Sequence, residues 1–503
     1  MHTFADPLSR AVRTGAERTA VVCGADRVTY ADMWRRCRAL AGAMRGLGLE
    51  HGDRVAVVMA NCHRYLEIYQ ALPASGLVIV PLNLRHTEHE LRYVIEDSGA
   101  RALITDREPG GLAEIVERVV RIPDDYEALV ADGPEVDLGE GVSEDDLAGL
   151  FYTGGTTGAA KGVMLTQRNL IANTIHTMLV TRLRSGDTWL VMAPLFHAAG
   201  SFAVLANVWL GNTQVLLPAF DPAAVLDLIE AEAVTATLGV PTMIGAMLEE
   251  QSARARDVTS LRLFAHGASP IATETLRRVR KFFPDANILH LYGATETAPL
   301  ATGLFGVEDH IDDPLARSCG QPVVGVSIRV VDDDMNEQPA GMVGEVAIRG
   351  PNVMKGYWNK PEQTAAVLVD GWYRSGDLGY ADDESHLFLV DRAKDMIVTG
   401  GENVYCTEVE EALYTHPMVL ECAAFGIPDE KWGEAVMAVV VPRGEVTEDD
   451  LVAHCRQRIA GYKVPKRIVV QEEALPKSGA GKILKRELRE PYWEGRTERI
   501  SGS

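Results

Sequence analysis

With 503 residues, 47% of them hydrophobic and 24% charged, the chain is too long for one ordinary core and has the composition of a soluble protein of two or more domains. A formal net charge of −22 argues against a general nucleic-acid binder, whose partner needs a basic face, and means that any anionic ligand must be met by local positive groups. No apolar run approaches the roughly 20 residues of a membrane span, the first residues lack a basic stretch followed by an apolar one, and seven scattered cysteines show no metal-ligand spacing, so a reduced cytoplasmic setting is expected.

Taken in chain order, apolar residues at helical spacing (Met33, Leu40, Ala43, Met44, Leu47) predict a helix between residues 29 and 47. Asp53-Arg-Val-Ala-Val-Val-Met59 then reads as a buried strand, followed by a helix over about 65–72 and a strand over 77–80. Further strands are expected over 101–105, 147–151, 188–192, 212–217 and 236–238, with a helix over 167–179. This βαβ rhythm predicts parallel sheet with helices on its faces. From residue 327 the strands shorten (327–331, 344–349 and 387–390), which predicts a β-rich subdomain. From Asp391 a compact unit runs on, with a helix over 407–414, strands over 419–426 and 436–442, and a helix over 448–460. The fold class expected is therefore α/β: a large N-terminal domain, residues 1–390, of parallel-rich sheets plus the β-rich subdomain, and a small α+β C-terminal domain, residues 391–503. No Pro-rich or Gly/Ser-rich linker separates the two, so their boundary reads as a hinge of very few residues.

Residues 152–162, Tyr-Thr-Gly-Gly-Thr-Thr-Gly-Ala-Ala-Lys-Gly, read as a phosphate-holding loop between the strand 147–151 and the helix 167–179. Gly154, Gly155 and Gly158 let backbone N–H groups converge on an anion, Thr153, Thr156 and Thr157 add hydroxyls, and Lys161 adds a mobile positive charge. The common P-loop is excluded, because Lys161 is followed by Gly162 where that loop has Ser or Thr. A flexible glycine turn would read the same way if it stood alone.

It does not stand alone. Tyr292-Gly-Ala-Thr-Glu296, Tyr373-Arg-Ser-Gly-Asp377, Asp391-Arg-Ala-Lys-Asp395 and Pro476-Lys-Ser-Gly-Ala-Gly-Lys482 follow in that order. As a set, and over roughly residues 29–489, the motifs resemble the adenylate-forming superfamily of acyl-CoA synthetases, peptide-synthetase adenylation domains and beetle luciferases. The resemblance implies a mobile C-terminal domain and an ATP site. Its loop residues Thr153, Gly154, Gly155, Thr156, Thr157 and Lys161 hold the β- and γ-phosphates, and Thr295 touches the α-phosphate. Tyr292, Gly293 and Ala294 border the adenine on one side and Gly267 and Ala268, from His266-Gly-Ala-Ser-Pro270, on the other. Asp377 and Arg392 meet the ribose, since a carboxylate matches a cis-diol. Thr156 and Glu296 are the Mg²⁺ ligands, hard oxygen donors for a hard cation. Lys482 bridges the substrate carboxylate and the α-phosphate. For the transfer to a thiol, the resemblance implies a swing about Asp391, with Gly400, Gly401 and Glu402 lining a pantetheine channel. Three positions depart from the usual pattern, Gly154 for serine and Ala160 and Cys406 for proline, and none removes a charge or a reacting group.

For the acyl group, Pro194-Leu-Phe-His-Ala-Ala-Gly200 matches the segment bordering the substrate carboxylate, with His197 as the leading residue. Ala198, Ala199, Gly200, Gly239, Met243 and Gly267 supply apolar or small walls. No acid occurs between residues 188 and 220, which argues against an α-amino acid. The expectation is an ATP- and Mg²⁺-dependent acid:CoA ligase that converts a hydrophobic carboxylic acid (fatty, aryl or polycyclic) to an acyl-adenylate and then to an acyl-CoA. The rivals are an enzyme that loads an acyl carrier protein and an ATP-binding regulatory protein without catalysis.

Overall fold

The computed structural model describes residues 2–153, 160–267, 271, 273–392, 395–429, 431–478 and 483–493. The expected sites Gly154, Gly155, Thr156, Thr157, Ala268 and Lys482 lie outside the described residues.

Two large sheets dominate. The first has seven strands in the spatial order Gly356–Tyr357, Lys161–Thr166, Leu147–Thr153, Val78–Pro81, Arg54–Val58, Ala102–Thr105 and Arg118–Arg121. Its last five are parallel. Val78–Pro81 and Ala102–Thr105 are buried at every residue, as continuous apolar runs covered on both faces must be. The second sheet has nine strands, with a parallel centre that includes Ala236–Gly239, Leu263–Gly267 and Asn287–Tyr292 and antiparallel strands at both ends. Strands of both sheets feed one core, including Val57 and Ile79 from the first and Val191 and Ala265 from the second. The expected helix appears as Tyr30–Gly46, started by the Thr29 side chain accepting from the Asp32 N–H.

Ser327–Val331, Gly344–Arg349, Trp372–Ala381, Leu368–Val369 and Leu387–Arg392 form an antiparallel five-stranded sheet. Beyond it, Ile397–Thr399, Glu402–Val404, Val419–Asp429, Gly433–Pro442 and Arg467–Val470 build a further sheet with its own core, including Val409, Ala438, Leu451 and Ile468.

Two sequence expectations require correction. The run 152–162 is not one long loop: the first strand reaches Thr153, and Lys161 opens a second strand, Lys161–Thr166, antiparallel to it with Thr153 opposite Lys161. Val163 and Leu165 bury their side chains there, and that packing outweighs the turn signals of the glycines before them. Thr166 then caps helix Gln167–Thr181 reciprocally with Asn169. The strand expected to end before Asp391 continues through it, because Asp391 pairs with Leu378 and Arg392 with Asp377.

Candidate active site

Lys161 and Glu296 meet the same tyrosine, Tyr357. The Lys161 ammonium lies 4.8 Å from the centroid of Tyr357, and the Tyr357 hydroxyl donates to Glu296 Oε1 at 2.9 Å. Strand Gly356–Tyr357 places that ring by pairing with Val163 and Met164, two and three residues beyond Lys161. Glu296 rides on the 3₁₀ turn Thr295–Thr297 after strand Asn287–Tyr292. Thr297 closes the turn, accepting from Ala294 N–H at 3.0 Å and donating to Ala294 O at 2.9 Å. Asn352 fixes it from below, donating to Thr297 O at 2.7 Å and Leu300 O at 2.6 Å. Gly293 is required, since a Cβ there would stand 1.9 Å from Pro299 O.

Glu296 is only 9% exposed and has no cationic partner among the described residues. A hydrogen bond to a charged group contributes about 1.5–3 kcal/mol, whereas burying an unpaired carboxylate costs several kcal/mol. The balance is left to a cation. No group of three metal-ligating side chains occurs among the described residues, so Glu296 fits an ion that keeps waters and substrate phosphates in its shell, which is the habit of Mg²⁺. The carboxylate and burial together push the Tyr357 phenol up, burial being the larger cause.

A second cluster lies alongside. Tyr292 donates to Asp377 Oδ2 at 2.8 Å, and Arg392 Nε is 3.1 Å from Asp377 Oδ1. The antiparallel ladder sets Asp377 directly opposite Arg392. Each carboxylate oxygen retains a further lone pair, so the pair can still receive a diol. Tyr373 is buried, and burial and, after it, the Glu296 carboxylate push its phenol well up.

The expected acyl segment is tightly built. His197 is half-buried and caps the short helix Ala198–Ser201, its Nδ1 accepting from Ala199 N–H at 3.2 Å. Gly200 and Gly267 serve close backbone approach, with a Cβ meeting Pro194 O at 2.0 Å and Leu291 O at 2.5 Å respectively. At Gly239 the clash would be with Met192 Cε at 2.6 Å. Met243 is buried in helix Pro241–Ala253. A small cavity bounded by Phe151, Leu165, Phe202, Leu205 and Pro299 includes Ala198 among its walls.

At the expected hinge, the Asp391 carboxylate accepts from Arg392 N–H at 2.8 Å and Cys406 N–H at 2.6 Å. Cys406 opens helix Cys406–Tyr414, so the Asp391 side chain is fastened to the C-terminal unit. Gly400 and Gly401 both have positive φ and turn strand Ile397–Thr399 into Glu402–Val404. That is the demand of a two-residue type I′ hairpin, and it accounts for both glycines. The segment leading to Lys482 is anchored at both ends: Lys477 pairs with Glu421 before it, and Lys485 Nζ lies 2.7 Å from Glu410 Oε1 after it.

Tyr357 and Asn352 went unremarked in the sequence because neither belongs to a motif that carries charge. The sequence signal beside Tyr357 is the glycine before it, and a φ of +145° with a Cβ position 2.7 Å from Thr364 Cγ2 explains why Gly356 stands there.

A cation and a carboxylate on one tyrosine, the carboxylate without a cationic partner among the described residues, and a second carboxylate matched to a diol are the set that a nucleotide-using enzyme needs. The model of the AMP-binding enzyme family matches residues 8–358, and that of the AMP-binding enzyme C-terminal domain matches residues 408–482. A feruloyl-CoA synthase from Amycolatopsis sp. is 41% identical over 494 residues, covering 97% of this chain and 98% of that one. A fatty acid–[acyl-carrier-protein] ligase from Streptomyces coeruleorubidus is 36% identical, covering 96% of this chain and 95% of that one. ATP-bound MatB from Rhodopseudomonas palustris superposes with a TM-score of 0.90 at 31% identity, covering 97% and 99% of the two chains. The chain therefore belongs to the AMP-binding enzyme family. It is an AMP-forming acid:CoA ligase, working with ATP, Mg²⁺ and coenzyme A. No helix among the described residues is long and apolar enough to cross a membrane.

Proposed function

We propose that the acid is an uncharged aromatic one of the arylpropenoic type, that free CoA is the acceptor, and that the enzyme works in the cytoplasm. The observation that carries the site assignment is the pair Lys161 and Glu296, opposite charges held apart on one tyrosine and left unneutralised. The aryl preference is supported by the 41% identity to a feruloyl-CoA synthase over 97% of the chain and by the absence of acids from residues 188–220.

In this reading Lys161 and the loop Thr153, Gly154, Gly155, Thr156 and Thr157 hold the β- and γ-phosphates, while Thr295 meets the α-phosphate. Tyr292, Gly293, Ala294, Gly267 and Ala268 border the base, and Asp377 with Arg392 takes the ribose diol. Glu296 and Thr156 hold Mg²⁺, which when bound offsets the polyphosphate charge. Lys482 brings the substrate carboxylate to the α-phosphorus. A carboxylate oxygen forms the new P–O bond and pyrophosphate leaves with the electrons of the broken one. The CoA thiol, giving up its proton, then attacks the acyl carbon and AMP departs. Both steps are assisted chiefly by positioning and fixed charge. His197 with Ala198, Gly200, Gly239 and Met243 borders the acyl group. The chain divides at residue 391, with Asp391 as the hinge and the Gly400, Gly401 and Glu402 turn bordering the pantetheine arm.

The test is pyrophosphate release with MgATP against aryl, fatty, polycyclic and amino acids, with and without CoA. Release with arylpropenoic acids and their conversion to thioesters by CoA is expected. Preference for a long-chain fatty acid would overturn the aryl assignment. An adenylate that reaches a carrier protein but not CoA would overturn the acceptor, as the 36% identical carrier-protein ligase makes concrete.

A further inference from the structure

Tyr357 touches both charged groups of the site. Its hydroxyl holds Glu296 Oε1 at 2.9 Å and its face holds the Lys161 ammonium at 4.8 Å from the centroid. Lys161 and Glu296 form no ion pair with each other, nor does either with another residue among those described. The backbone around Tyr357 is stitched to the elements that carry both partners. Met354 N–H donates to Glu296 O at 2.8 Å, Lys355 N–H to Met164 O at 3.0 Å and Trp358 N–H to Gly162 O at 2.8 Å. A lysine and a glutamate that meet the same side chain attract each other, and a collapsed pair would have neither charge to offer a ligand.

The geometry points to Tyr357 as a positioning residue that keeps the metal-ligating carboxylate and the phosphate-binding lysine apart and each aimed at its own ligand. This rests on the assignment of Glu296 to Mg²⁺ and Lys161 to the phosphates. The two contacts are separable by substitution. Tyr357→Phe keeps the ring under Lys161 and removes the hold on Glu296. Tyr357→Leu removes both and opens the way for Lys161 and Glu296 to pair.

The deciding measurement is Mn²⁺ binding to the full-length protein with α,β-methylene-ATP, followed by electron paramagnetic resonance, beside calorimetric titration of the same analogue without metal. For Tyr357→Phe the Mn²⁺ dissociation constant should rise about ten-fold, the lower end of the cost of losing a support behind a metal ligand, with metal-free analogue binding unchanged. For Tyr357→Leu both should weaken, while thermal melting confirms that each variant is folded. Unchanged Mn²⁺ affinity in folded Tyr357→Phe would overturn the proposal, as would equal losses of metal-free analogue binding in both variants. A wild-type protein that binds Mn²⁺ and the analogue but activates no acid would count against the proposed substrate and leave this inference standing.

Discussion

Two buried glutamates in this chain each accept a tyrosine hydroxyl, and they are otherwise opposites. Glu67 takes the Tyr126 hydroxyl at 2.7 Å and both Nε and Nη2 of Arg36, at 2.8 and 3.0 Å. Arg36 in turn meets Glu127, which also receives Arg64. Every charge in that cluster is answered within the fold. Glu296 has its tyrosine and, among the described residues, no cation. The contrast sets a carboxylate answered within the architecture beside one that we propose to wait for a metal ion, and burial alone does not tell them apart.

Replacing Arg36 with Met strands Glu67, which is 1% exposed, and should cost about 3–5 kcal/mol of unfolding free energy in a denaturant titration. Catalysis at permissive temperature should persist. Glu296→Gln should do the reverse. The metal-free variant melts at or above the wild-type temperature because a buried unpaired charge is gone, MgATP no longer raises that melting temperature, and pyrophosphate release falls about 100-fold or more. If Glu296→Gln instead melts well below wild type with activity intact, Glu296 is architectural like Glu67.

A sharper test falls on the turn that aims Glu296. Gly293→Ala places a methyl 1.9 Å from Pro299 O, and overpacking of this kind costs typically about 1–3 kcal/mol. Because the displaced turn carries Glu296, the apparent Mg²⁺ requirement should rise together with the loss of stability. A fall in stability with an unaltered Mg²⁺ titration would separate the two.

The smallest effect belongs to the join between the large and small units. Arg443 pairs with Glu249 at 2.7 Å and Arg317 with Glu411 at 2.8 Å, all four side chains more than a third exposed. Replacing Arg443 with Met should change melting by less than about 1 kcal/mol equivalent. A larger loss would argue for a fixed interface in place of the proposed hinge at residue 391.

Much of this was legible in the chain. The strands over 327–331 and 344–349 appear with those bounds as Ser327–Val331 and Gly344–Arg349, because turn residues frame them cleanly. The spacing of motifs rich in glycine and charge exposed the superfamily, and Asp377 and Arg392 proved to be ladder partners. Lys161 was misread as a loop residue because Gly158, Ala159 and Ala160 mask the start of a strand whose partner, Gly356–Tyr357, lies almost two hundred residues later. Tyr357 was missed for the same reason: its function depends on pairing distant in sequence, and a lone tyrosine advertises nothing. The glycines at 200, 239 and 267 were read as small walls of the acyl pocket, and in the structure a Cβ at them would stand 2.0, 2.6 and 2.5 Å from the nearest atom of their own surroundings.

The central claim is that this chain joins a carboxylate oxygen to the α-phosphorus of ATP. The measurement that tests it most directly uses an arylpropenoic acid labelled with ¹⁸O in both carboxylate oxygens, incubated with the enzyme, MgATP and CoA. Mass spectrometry of the nucleotide product should find AMP carrying one ¹⁸O, the bridging oxygen of the adenylate left behind when the thioester forms. Unlabelled AMP in the presence of thioester, or ADP as the product, would contradict the account.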